Sequence, residues 1–238
     1  MKYLLALFGS FVFLTAHADQ VFTDYEDYYR QLHGTFFGKA LEDPNEGYSI
    51  QGEHGLCGEE DACQDYHGTL GSKKIKITVS LTKGAFQING RRFNYRSARV
   101  FDGMQNTSEE VPLYGVSAYI TLKVKNRPDM VCIEGYYMGS GRFRNTEVFL
   151  VINPLGPRNQ IKFFHLPSLH SSCMAVRQEP DGSVSYPSNS YTPDGDAKKS
   201  TGLLMKYFAI KSGIIRPLNR ETRLRFVEVG NPFKFSIE

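Results

Sequence analysis

The chain has 238 residues, of which 41% are hydrophobic and 22% charged, with 22 Gly, 11 Pro, four Cys, no Trp and a net charge of +3. That apolar fraction and small net charge exclude intrinsic disorder, and the aperiodic Gly and Pro exclude a collagen-like or low-complexity chain. The length suits one domain or two small ones.

Met1 to Ala18 reads as a secretory signal peptide. One cation, Lys2, precedes an apolar stretch from Tyr3 to Leu14, and Ala16-His17-Ala18 supplies small residues at the peptidase positions. A membrane anchor needs about 20 apolar residues, and Thr15 and His17 interrupt this stretch. Cleavage is expected after Ala18, so the mature protein is secreted or periplasmic. Its domain spans residues 19–238 and has no transmembrane segment. Losing Lys2 lowers the net charge to +2.

Thr23-Asp24-Tyr25-Glu26 has the pattern of a helix-capping box. Tyr25, Tyr28, Tyr29, Leu32 and Phe36 follow at helical spacing and predict one aromatic face turned to a core. Residues 40–72 then carry eight acids (Glu42, Asp43, Glu46, Glu53, Glu59, Glu60, Asp61, Asp65) and no Lys or Arg. With six glycines and no hydrophobic period, this stretch predicts an irregular, Cys-containing surface loop.

Strand patterns take over after residue 72. Ile75, Ile77, Val79 and Leu81 alternate with polar residues, the mark of a half-buried strand. Asn89-Gly90 signals a type I′ hairpin before a strand from Phe93 to Phe101. Val116, Ala118, Ile120 and Leu122 alternate in the same way, and strands are expected over 130–138 and 142–152. The apolar run from Val148 to Ile152 predicts a central strand covered on both faces. Shorter strands are expected at Ile161–Leu166 and Cys173–Val176, a flexible loop or exposed hairpin over 178–201, and strands near 203–210, 222–229 and 233–237.

About ten short strands with tight turns predict an antiparallel β-sandwich or barrel-like domain with a short N-terminal helix. An α+β arrangement with the helix packed on one sheet is the alternative. A membrane barrel is disfavoured by the missing Trp and by Arg or Lys on nearly every strand.

All four cysteines, Cys57, Cys63, Cys132 and Cys173, lie in the mature part. In an oxidising compartment they predict two disulfides with three possible connectivities. A local Cys57–Cys63 clip and a long-range Cys132–Cys173 tie are favoured. His54, Cys57, Cys63 and His67 have zinc-type donors but no standard zinc spacing, and disulfide formation would remove two of them. No calcium loop, Walker loop, dinucleotide fingerprint or nucleophile elbow is present, so no metal or cofactor is expected.

Three function classes remain. Outside residues 40–72 the mature chain carries +10, clustered at Arg91, Arg92, Arg96 and Arg99, at Arg142 and Arg144, and at Arg216, Arg220, Arg223 and Arg225. Arginine's planar fork suits carboxylate or phosphate. A basic sheet face is therefore expected to bind an anionic glycan, a lipid headgroup or an acidic protein surface. Nucleic acid is not expected, because the chain is exported and carries no recognition motif. A non-catalytic cell-envelope binding protein is the first reading. The second is an envelope enzyme using Cys173 as nucleophile with His165 or His170 as base. A structural or assembly component of a surface structure, pairing through a sheet edge, is also compatible. Oligomeric state is not encoded in any motif.

Overall fold

The computed structural model describes residues 20–33, 36–42, 57, 62–100, 113–122, 128–136, 146–195 and 199–238. Residues 1–18, read as a signal peptide, most of the acidic segment, Arg142 and Arg144 lie outside the described residues.

A single helix, α1 (Tyr25–His33), opens the described chain. Its cap differs from the expected box: the Asp24 carboxylate, not Thr23, accepts the N–H of Asp27 at 2.9 Å. Glu26 turns instead to Arg30, one helical turn on, at 2.6 Å. Tyr28 and Tyr29 are fully buried as expected, whereas Leu32 is exposed. After the helix, residues 36–41 run along a sheet edge, with Gly38 N–H donating to Ile120 and Leu41 N–H to Ala118.

Fourteen strands follow among the described residues, in three sheets. The first sheet is an antiparallel meander of β1 (Cys63–Leu70), β2 (Lys73–Ser80), β3 (Ala85–Ile88) and β4 (Arg91–Asn94). Strand β1 corrects the expectation of an irregular loop over the whole of 40–72. It pairs residue for residue with β2 from Cys63↔Ser80 to Leu70↔Lys73. The Asn89-Gly90 turn between β3 and β4 has positive φ at both residues (47° and 77°), as a type I′ hairpin requires.

The second sheet has the order β5-β9-β8-β7-β6. It contains β5 (Arg99–Val100), β6 (Tyr114–Ile120), β7 (Met130–Tyr136), β8 (Thr146–Ile152) and β9 (Lys162–Leu166). All its pairs are antiparallel except β5 with β9. The third sheet runs in sequence order through β10 (Arg177–Gln178), β11 (Val184–Pro193), β12 (Ser200–Lys211), β13 (Ile214–Phe226) and β14 (Phe235–Ile237). Of the flexible loop or exposed hairpin expected over 178–201, ten residues are the strand β11, paired along its length with β12 in a hairpin. The expected strand at Cys173–Val176 is a 3-10 turn, Cys173–Ala175, whose Met174 N–H is held by the Ser172 hydroxyl.

The second sheet is the middle layer. Along β7 and β8 consecutive residues face different cores. Met130, Cys132, Val148 and Leu150 pack with α1 and the third sheet. Val131, Ile133, Phe149 and Val151 pack with the first sheet. This is why Val148 to Val151 is an unbroken apolar run: neither face meets water. The protein is mainly β and antiparallel-rich, with the helix packed on one side of the central sheet. Both disulfides are present with the favoured connectivity, Cys57–Cys63 and Cys132–Cys173.

Candidate functional site

The first sheet is strongly basic. Residues 63–94, which span it, contain six Lys or Arg and one acid, Asp65, which is paired with Lys76 at 3.0 Å. Its polar end opens into a cavity of about 520 Å³, lined by Thr82, Lys83 and Gly84 of the β2–β3 turn, Arg92 and Asn94 of β4, and Arg96 and Ser97 of the following 3-10 turn.

Local packing sets this arrangement. Tyr95 is fully buried, with its ring stacked 4.2 Å from Phe149 of the central sheet, while Arg92 and Arg96 stay exposed. The Tyr95 N–H donates to the Gly84 carbonyl at 2.9 Å and ties the 3-10 turn to the β2–β3 turn. Lys83 N–H donates to the Ser80 hydroxyl at 2.8 Å, which fixes that turn. Arg92 Nε donates to Asn94 Oδ1 at 2.7 Å, and Ser97 Oγ to the Asn94 carbonyl at 2.7 Å. Two guanidinium groups, one ammonium, two hydroxyls and an amide therefore line one cavity. Such a lining presents donors to oxyanions and to sugar hydroxyls. Among the described residues that line it there is no thiol, imidazole or carboxylate.

Three further arginines among the described residues make contacts within the protein. Arg91 Nη1 donates to the carbonyls of Pro154 (3.1 Å) and Gly156 (2.9 Å), clamping β4 to the β8–β9 loop. Arg99 Nη1 donates to the Gly213 carbonyl at 2.8 Å, joining the central sheet to the β12–β13 turn. Arg220 forks onto Glu179 and lies 4.2 Å from the centre of the Tyr207 ring. Arg216, Arg223 and Arg225 are on β13, so the two clusters lie in different sheets and do not form one basic face.

The Cys/His pairing is corrected by the geometry. Cys173 is fully buried and disulfide-bonded to Cys132, and no described cysteine is free. His165 lies between Phe164 and Leu166, which face the core that holds Cys173, and stacks instead on Phe149 in the opposite core. Its Nε2 forms a buried hydrogen bond with Glu147 Oε2. His170 bonds Tyr191 Oη through Nε2 at 2.7 Å and stacks on Tyr25. Burial lowers its pKa to about 4. Next to the Cys132–Cys173 bond, Glu134 accepts from Tyr119 Oη (3.0 Å) and from the Cys173 N–H (2.6 Å). Burial raises its pKa to about 7, against the lowering effect of those two bonds.

Of the zinc-type donors, Cys57 and Cys63 are bonded to each other, His67 is exposed on β1, and His54 lies outside the described residues. Among the described residues no group of three His, Cys, Asp or Glu side chains is placed to hold a metal ion. None of their helices is long and apolar enough to cross a membrane. Sequence reasoning missed Thr82, Lys83, Asn94 and Ser97. Nothing in the spacing of Lys83-Gly84 indicates that it shares a cavity with Arg96. No family model, curated protein or solved structure matches this chain.

Proposed function

We propose that this is an exported, disulfide-stabilised binding protein, secreted or periplasmic, that holds an acidic glycan in the cavity of its first sheet. One observation carries the reading: Lys83, Arg92 and Arg96 line the same cavity as Thr82, Asn94 and Ser97. The cations match carboxylate or sulfate groups, and the neutral donors match ring hydroxyls. A volume of about 520 Å³ exceeds what a bare inorganic anion fills and accommodates sugar rings. The leader-like N-terminus and the two disulfides support an oxidising, extracytoplasmic setting.

The test is calorimetric titration of the mature protein with a heparin oligosaccharide and with polygalacturonate. Arg92→Ser combined with Arg96→Ser should weaken binding at least tenfold and flatten its dependence on salt. Unchanged affinity in that variant, or no binding of either polymer by the wild type, would overturn the reading.

A further inference from the structure

The outer face of the first sheet carries a small buried patch beside the cavity. Val79 of β2, Phe86 of β3 and Phe93 of β4 point into the core shared with the central sheet. Their strand neighbours Ser80, Ala85 and Asn94 therefore face the other way. The pairings Cys63↔Ser80, Val79↔Phe86 and Ala85↔Asn94 set Cys63, Ser80, Ala85 and Asn94 in one row across the four strands. Cys63, Ser80 and Ala85 are buried although they face away from that core, and the Cys57–Cys63 disulfide clusters with Ala85. The row ends at Asn94, which lines the cavity.

The same clip reaches the cavity through the β2–β3 turn. The Ala62 carbonyl, next to Cys63, accepts the Leu81 N–H at 2.8 Å. The Ser80 hydroxyl, across from Cys63, accepts the N–H groups of Thr82 at 3.3 Å and of Lys83 at 2.8 Å. The Lys83 carbonyl accepts the Ala85 N–H at 2.7 Å, and the Gly84 carbonyl holds Tyr95. Thr82, Lys83 and Gly84, the cavity residues of this turn, are thus fixed between Ser80 and Ala85, the two residues beside the clip. The other disulfide has no such route, because Cys132 and Cys173 lie in the core on the opposite face of the central sheet.

We infer that the Cys57–Cys63 disulfide is a redox-linked positioning element of the cavity. Closed, it holds the Thr82–Gly84 turn against Asn94 and Arg96 in the geometry that takes the glycan. Opened by a dithiol, it releases the turn and the affinity falls. Opening is a two-electron exchange: the S–S bond breaks, each cysteine sulfur gains a hydrogen, and the dithiol becomes a disulfide. The inference rests on the glycan reading of this cavity and adds its regulation.

Two routes open the clip in the mature protein: dithiothreitol, with the reduced cysteines identified by mass after alkylation, and Cys57→Ser combined with Cys63→Ser. Either should weaken heparin-oligosaccharide binding in calorimetry roughly tenfold. Either should also speed amide exchange over residues 82–85 more than over β12 and β13. Ser80→Ala, with both disulfides closed, should weaken binding in the same direction. Val184→Ala, in the other core, lowers the unfolding temperature and should leave affinity unchanged. By linkage, bound oligosaccharide should raise the dithiol-to-disulfide ratio needed to open the clip by the same factor. Unaltered exchange over 82–85 would overturn the inference, and so would affinity that survives clip opening or falls equally in Val184→Ala. A wild type that binds neither polymer would overturn the glycan reading alone, because the exchange measurement reads the clip without a ligand.

Discussion

Glu134 accepts the backbone N–H of Cys173 at 2.6 Å across 39 residues of sequence, with the Cys132–Cys173 bond beside it. The carboxyl is buried, and its pKa of about 7 exceeds the ordinary 4.5. Between those values the native state holds a proton that the unfolded chain has released, so this group makes stability fall as pH rises through the window. The full effect is about 3 kcal/mol. Glu134→Gln keeps an acceptor for Cys173 and removes the titration. Urea midpoints measured from pH 4.5 to 7 should lose that falling component. An unaltered pH profile would count against the assignment.

His170 works in the opposite sense. Its pKa falls from 6.5 to about 4 on burial, so the unfolded chain takes up a proton that the native state refuses. Stability is lost as pH drops through that interval. Between about pH 4.5 and 6.5 the two groups oppose each other, which flattens the wild-type profile. His170→Asn suits the left-handed backbone at φ 47° and should leave the Glu134 slope exposed, tilting the profile the other way. The same urea series reads both variants.

The two disulfides should differ in weight. Cys132 and Cys173 close a loop of 41 residues, for which chain entropy gives about 4 kcal/mol, and Cys57–Cys63 spans only six, for about 2 kcal/mol. Paired Ser substitutions followed by thermal unfolding compare them. Mass after native alkylation should show no free thiol in the wild type.

Adjacent arginines should separate stability from binding. Arg91→Ala strands the carbonyls of Pro154 and Gly156 and should cost about 1–3 kcal/mol. Arg92→Ala loses one exposed bond to Asn94 and should stay within about 0.5 kcal/mol. Denaturant midpoints decide between them; equal losses would remove the distinction between clamp and cavity residue.

Elements whose burial follows simple alternation were readable from sequence. Ile75, Ile77 and Val79 on β2, and Val116 and Ala118 on β6, bury every second residue. Strand β1 was hidden because its buried residues, Cys63, Tyr66 and Leu70, are not evenly spaced in twos. Gly68 leaves a gap that Leu41 and Ile120 approach closely, with 3.0 and 3.1 Å left for an added Cβ. Strand β11 was masked by Pro187 and Pro193, residues that usually mark turns, yet its register with β12 continues through Pro187↔Tyr207. The early part of β13 contains Pro217 at an irregularity in its pairing, and the Ser212-Gly213 turn that begins it, with φ 53° and 79°, carries only a weak signal. The arginine clusters were visible, but their roles were not. Arg91 and Arg99 bind backbone carbonyls 63 to 114 residues away, and no local pattern encodes such partners.

The alternating central sheet also separates the protein's surfaces from one another. Met130 and Val131 are neighbours in the chain but belong to different cores, so a cavity opened under one is not directly felt by the other. The first and third sheets therefore pack independently, each against its own side of a shared wall. Energetically, paired substitutions on opposite sides should sum, whereas pairs within one core should not.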